Sequence, residues 1–171
     1  MPKEQRLLQE SVAKDLKKAR EAVFRLLKIR FRSEQEIRER LTRKQFSKET
    51  VEQTIPYFKE LGLIDDRQFA RKWISSRLLK PFGINRIQFE LRNKGIQDEI
   101  IHEALRNLTD DYPEEEIVFR LAKQQASKVK NVDLNKSRQR IYGYLARRGF
   151  RSATIFKAFK ELERQKIQGS L

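Results

Sequence analysis

The chain has 171 residues, 37% of them charged, and a formal net charge of +15. It contains no cysteine, which excludes a disulfide framework and zinc–thiolate sites, and no long apolar run, so no membrane span is expected. Hydrophobic content is 38%, with Leu, Ile, Val and Phe recurring throughout, enough for a folded chain with a thin core.

The opening stretch MPKEQRLLQESVAKDLKKAR mixes acids with bases and has no apolar signal core. It is read as a helical extension over residues 1–18. An amphipathic segment with Ala22, Val23, Leu26 and Leu27 follows. Ser33 then stands where a helix N-cap belongs, and Glu36, three residues on, completes a capping box.

From Ile37 a register of apolar residues begins that occurs three times. It runs Ile37, Leu41, Phe46, Val51, Ile55, Phe58, then Ile87, Leu91, Ile96, Ile101, Leu105, Leu108, then Ile141, Leu145, Phe150, Ile155, Phe159, Leu162. The steps are 4, 5, 5, 4 and 3 residues in each copy. Steps of three and four are helical. The two steps of five straddle a turn, and Gly95 and Gly149 stand just before the third register position, where glycine ends a helix without a Cβ clash. Phe46, Ile96 and Phe150 lie five residues before Val51, Ile101 and Ile155, the spacing of a hydrophobic staple. Each copy is thus a helix, a tight turn and a second helix, preceded by a further amphipathic segment.

Two residues strain this scheme. Gln45 occupies the glycine position in the first copy, so that turn is expected to differ or to be strained. Pro56 falls within the helix expected over 48–61, which predicts a kink or break near Thr54.

Gly62 ends the first copy, and the adjacent Asp65 and Asp66 open the next amphipathic run, which holds Phe69, Ala70, Trp73 and Ile74. A carboxylate pair can hold a metal in a nuclease. Here Asp65 fits an N-cap with Gln68 as its reciprocal partner, and Asp66 fits the first turn, where the helix dipole favours negative charge. Gly83 occupies the cap position of the second copy and Ser137 that of the third. Asp110 and Asp111, beside Pro113, are read as caps of the following helix, which carries Val118, Phe119, Leu121 and Ala122. The only histidine is His102, expected at the surface. No phosphate-binding loop, nucleophile elbow or catalytic triad is present. The reading is therefore a non-enzyme without cofactor or metal.

No strand pattern of useful length appears. The expected fold is all-α, three tandem three-helix repeats, elongated and curved because neighbours must cover each other's apolar faces. The repeats are placed at residues 19–62, 63–110 and 111–171.

Charge is uneven along them. Residues 1–63 carry 16 bases and 10 acids, residues 64–112 nine and eight, and residues 113–171 fourteen and six. Between Ile117 and Lys160 there are twelve bases and one acid, Asp133. Such a field attracts polyanions in a salt-dependent way. Lys44, Lys94 and Arg148 close the middle helix of each copy, where a cation also complements the helix dipole. Arg138, Arg140, Arg147 and Arg148 in the third repeat, and Lys80, Arg86, Arg92 and Lys94 in the second, are the candidate contact residues for a partner or nucleic acid.

The segments RFRSEQEIRERL, LGLIDDRQFARKW, GINRIQFELRNKGI and LARRGF resemble, in order and spacing, those of the RecX family of bacterial regulatory proteins, over roughly residues 20 to 162. The matching residues are Arg32, Ser33 and Glu36, then Asp65, Asp66, Phe69 and Ala70, then Gly83, Arg86, Leu91, Lys94, Gly95 and Ile96, and finally Arg147, Arg148, Gly149 and Phe150. Ile37 departs from the commoner leucine. The resemblance implies a cytoplasmic protein that binds the RecA recombinase and the RecA–DNA filament; a monomer is expected. It implies restraint of ATP hydrolysis, strand exchange and coprotease activity in the SOS response, with possible direct contact to DNA. A free-standing helical DNA-binding protein is the alternative, and a metal-dependent nuclease a weaker one.

Overall fold

The computed structural model describes residues 3–108, 112–128 and 134–168. Among them the chain is helical: α1 (Lys3–Ile29), α2 (Glu34–Arg43), α3 (Lys48–Glu60), α4 (Asp66–Leu78), α5 (Ile84–Arg92), α6 (Asp98–Leu108), α7 (Glu114–Lys128), α8 (Leu134–Arg147) and α9 (Ser152–Gln168). This is the all-α, tandem three-helix architecture that the register predicts. α1 runs unbroken across residue 18.

The register residues are the core. Ile37, Leu41, Val51, Ile55 and Phe58 are buried, as are Ile87, Leu91, Ile96, Ile101 and Leu105, and Ile141, Leu145, Phe150, Ile155 and Phe159. Phe46 and Leu162 are half-buried; the side chain of Leu108 and the whole of Asp110 and Asp111 lie outside the described residues. The chain forms two compact units, Met1–Lys72 with Arg92–His102, and Trp73–Leu91 with Glu103–Leu171. In the first, Ala19, Ala22 and Val23 of α1 pack with Ile37 and Leu41 of α2 and Val51, Ile55 and Phe58 of α3. In the second, Val118, Leu121 and Ala122 of α7 pack with Ile141 and Leu145 of α8 and Ile155, Ala158 and Phe159 of α9.

Local signals set most helix ends. Ser33 caps α2, its Oγ accepting from the Glu36 amide at 3.2 Å while Glu36 accepts from the Ser33 amide, a complete capping box. Ser47 caps α3 through the Thr50 amide at 3.1 Å. After α2 the Gln45 amide donates to the Thr42 carbonyl and the Phe46 amide to the Leu41 carbonyl, the paired bonds of a Schellman end. Gly149 and Phe150 repeat the pattern on Ala146 and Leu145, and Gly62 and Leu63 repeat it on Lys59 and Phe58. Gln45 adopts φ +63°, close to Gly95 at +75° and Gly149 at +82°. The first turn therefore has the same conformation as its copies, and Gln45 bears the left-handed strain that glycine avoids.

Two expectations are corrected. α3 continues through Pro56 without a break. Pro56 lies on the exposed side, so the carbonyl one turn earlier, at exposed Glu52, keeps access to water. The buried Thr54 hydroxyl donates to the Thr50 carbonyl at 2.7 Å. Ser137 is not an N-cap, because α8 begins three residues earlier at Leu134. Ser33 and Gly83 are each held at a following turn, as described next; among the described residues Ser137 makes no such bond.

A repeated stitch joins the start of one middle helix to the turn after the next. Within the first unit, Ser33 Oγ donates to the Lys94 carbonyl at 2.7 Å. A Cβ on Gly95 would stand 2.4 Å from the Gln35 Cβ. Within the second unit, the Gly83 amide donates to the Arg148 carbonyl at 2.9 Å and the Asn85 amide to the Gly149 carbonyl at 3.2 Å. A Cβ on Gly83 would stand 2.1 Å from the Gly149 carbonyl oxygen, and one on Gly149 would stand 2.4 Å from the Arg86 Cβ. Backbone meets backbone at this second stitch, so only glycine fits. Gln45 is exposed at its turn, and a side chain survives there.

The first stitch is reinforced by charge. Glu36 accepts from Lys94 Nζ at 2.7 Å and from Arg30 at 2.8 and 2.9 Å. Burial acts to raise the Glu36 pKa, but the hydrogen bonds and charges of Arg30 and Lys94 outweigh it and hold the value at about 2, against an ordinary 4.5. Asp66 adds a cross-helix cap, its Oδ1 accepting from the Glu34 amide at 2.9 Å.

Two predictions follow from the stitch. Gly62, at φ +66° with open space around it, pays only for conformation when replaced; Gly62→Ala should cost about 1 kcal/mol, and Gly83→Ala about 3 kcal/mol or more by backbone collision, measured by urea denaturation. For Glu36, the folded pKa lies below the unfolded one, so its contribution is complete above about pH 4.5 and is lost as pH falls toward about 2. Glu36→Gln should be the less stable protein at pH 7, and its deficit should close as denaturation is repeated down to pH 2.

Candidate nucleic-acid and partner interface

The eight candidate cations divide by what holds them. Lys94 is committed to Glu36, with 18% of its side chain exposed. Arg92 donates from Nε to Asp98 Oδ1 at 2.6 Å, across the turn between α5 and α6. Arg86 donates to Glu90 Oε1 at 3.0 Å, one helical turn away, and its guanidinium lies 4.1 Å from the centre of the Phe82 ring. Glu90 also accepts from Arg77 at 2.6 Å and from the Trp73 indole at 3.0 Å. Burial alone would raise the Glu90 pKa; the hydrogen bonds from Arg86, Arg77 and Trp73 and the Arg77 charge bring it below the ordinary carboxylate range. Three of the four charges proposed from the second repeat are thus paired within the fold, Lys94 with a residue of the first repeat. Lys80, just beyond α4, is exposed and has no side-chain partner among the described residues.

The third repeat differs. Arg148 is structural: it donates to the Pro81 carbonyl at 3.1 Å and stacks 4.8 Å from the Tyr144 ring centre. Arg138 pairs with Glu163 at 2.8 Å and lies 5.3 Å from the Phe159 ring. Arg140 and Arg147 are exposed and without an ion-pair partner among the described residues. Both lie on α8, seven residues apart, hence on one face and about 10 Å from each other along the axis. Tyr144 sits between them, one turn from each. α8 is amphipathic: Ile141 and Leu145 face the core, which leaves Arg140 and Arg147 to solvent.

The arrangement of two free arginines on a rigid helix, in a block of twelve bases and one acid, suits phosphates or carboxylates on an extended partner. It contains no reacting group. Asp65 is the N-cap of α4, accepting from the Gln68 amide at 3.0 Å, as its spacing predicts. Asp66 does more than meet a dipole, since it caps α2 as well. Burial raises its pKa, and the Glu34 amide bond opposes this. Both carboxylates are therefore committed to backbone amides. Among the described residues no three of His, Cys, Asp and Glu gather to hold a metal ion, and His102 is exposed. No described helix is long and apolar enough to cross a membrane.

Sequence reasoning missed the anchoring of Arg148 and Lys94. Their partners, Pro81 and Glu36, lie 67 and 58 residues away. The Arg86–Glu90 pair was legible as an i, i+4 spacing.

Comparison with known proteins completes the site. The first, second and third three-helix domains of RecX match residues 19–57, 65–105 and 113–159. A regulatory protein RecX from Prosthecochloris aestuarii is 38% identical over 86% of this chain and 95% of its own length. Another from Amycolatopsis mediterranei is 35% identical over 85% of this chain and 83% of its own. In fold, the chain is similar to a crystal structure of RecX from Lactobacillus salivarius, with TM-score 0.77 and 24% identity over 88% of this chain and 98% of that one. A further crystal structure of a regulatory protein RecX superposes with TM-score 0.81 at 23% identity, over 94% of this chain and 79% of that one. Three domain matches in order, and relatives at this identity along most of their length, mean that this chain belongs to the RecX family of regulatory proteins.

Proposed function

We propose that this chain regulates the RecA recombinase. In this reading it binds RecA and the RecA–DNA filament as a cytoplasmic monomer, and it restrains ATP hydrolysis, strand exchange and coprotease activity without itself being an enzyme. The single observation that carries the reading is the match to regulatory RecX proteins along nearly the whole length of a 38%-identical relative. The charge fits a partner of this kind. A net +15 is drawn to an acidic nucleoprotein assembly.

The contact residues are assigned by availability. Arg140 and Arg147 are free to meet the filament, and Lys80 is a further free cation. Arg86, Arg92, Arg138, Lys94 and Arg148 already hold intramolecular partners. To reach an acidic partner they must exchange those bonds, so their contribution is the smaller one.

The test is RecA-driven ATP hydrolysis on single-stranded DNA with this protein present below stoichiometry. Wild type should suppress hydrolysis. The double reversal Arg140→Glu with Arg147→Glu should weaken that suppression at least tenfold, because two favourable contacts become repulsive, with the thermal midpoint unchanged. Lys94→Ala should do the opposite, lowering the midpoint through loss of the Glu36 pair while the folded protein still suppresses. Preferential, sequence-dependent binding to bare duplex over the RecA-coated strand would contradict the reading.

A further inference from the structure

One exposed aromatic ring in the second unit, Phe156, is backed by Tyr142, a half-buried ring that packs against the core. Phe156 on α9 keeps 52% of its surface open to solvent. Tyr142 on α8 lies beside it, with ring centroids 5.7 Å apart and planes tilted by 34°. The Tyr142 hydroxyl shares a hydrogen bond with Ser152 Oγ at 2.8 Å, one turn before Phe156, which fixes the tyrosine ring in place. Arg138 stands one turn before Tyr142 and Lys160 one turn after Phe156. Arg138 is held by Glu163; Lys160 is exposed and has no partner among the described residues.

The surroundings decide what such a pair is for. Among the described residues from Ile117 to Lys160, Phe156 is the one exposed large apolar side chain. A protein-docking patch has an apolar core of several residues at its centre; this stretch of chain supplies one. Along the two helices the rings are flanked by the Ser152 hydroxyl, Lys160 and the Arg138–Glu163 pair, and the chain from Ile117 to Lys160 carries twelve bases and one acid. Ring faces flanked by cations match a single-stranded nucleic acid: every base has a face that stacks on an aromatic ring, and the neighbouring phosphates meet the positive charge. In a duplex the faces of the bases are already stacked, so only an unpaired base fits.

We propose that Tyr142 and Phe156 form a stacking platform for an unpaired base of a single strand, with Lys160 on an adjoining phosphate. The platform deepens the function proposed above and rests on it only in taking nucleic acid as the polyanion.

The experiment measures binding of the full-length protein, at fixed low salt, to three probes: a single-stranded oligothymidylate, an abasic strand of equal length, and a duplex. Wild type should prefer the oligothymidylate to the abasic strand by roughly tenfold, as one base stack supplies. Phe156→Ala should abolish that preference while leaving abasic-strand affinity and salt dependence unchanged, and Phe156→Trp should preserve it. Lys160→Ala should weaken both single strands and flatten their salt dependence. Equal binding of wild type to both strands, or a preference that survives in Phe156→Ala, overturns the proposal. So does a Phe156→Ala protein that binds strands normally but loses affinity for RecA free of DNA; that result leaves the regulatory function standing. Conversely, base preference in a wild-type protein that does not bind RecA supports the platform and removes the regulatory reading.

Discussion

The close approach of one helix start to the turn that ends a later helix sets most of this structure. Where Gly83 meets Gly149, backbone amide and carbonyl bond directly, with no room for a Cβ on either side. Where Ser33 meets Lys94, a hydroxyl spans a wider gap to the same kind of carbonyl. In both cases the last carbonyls of a helix, which would otherwise need water, receive a donor from the preceding repeat. The turn must be left-handed to present them, and that requirement selects glycine at 95 and 149. The small three-helix units have thin cores, so these backbone bonds between repeats supply order that side-chain burial alone would not.

The same constraint sorts the positive charge. Lys94 and Arg148 occupy the last position before their turns, beside the stitched carbonyls, and both are drawn into intramolecular bonds there. The equivalent Lys44 is exposed. Arginines on the open face of α8, away from the stitch, remain available. The candidate cations thus divide into those that hold the fold and those that can meet a partner.

Much of this was legible in the sequence. The 4, 5, 5, 4, 3 register marks the buried residues because each step is dictated by helix period or by a tight turn. Asp65 and Ser33 were readable as caps because capping acts over three residues. What was not legible depends on distant parts of the chain. Gly83 read as a helix N-cap, yet its tightest constraint is a carbonyl 66 residues later. Ser137 matched Ser33 in register, but α8 starts earlier, at Leu134. Pro56 suggested a break, but the exposed side of α3 tolerates a missing bond. Lys94 looked like surface charge until Glu36, 58 residues earlier, was placed beside it.

Native-state hydrogen exchange at the Gly83 amide tests the stitch most directly. Gly83 precedes the first residue of α5 and would have no intrahelical acceptor. If its amide is bonded to the Arg148 carbonyl, it should exchange only through opening of the second unit, as slowly as the buried amides of α8. Exchange at the rate of an exposed loop, with α8 still protected, would show that the repeats are not joined in this way.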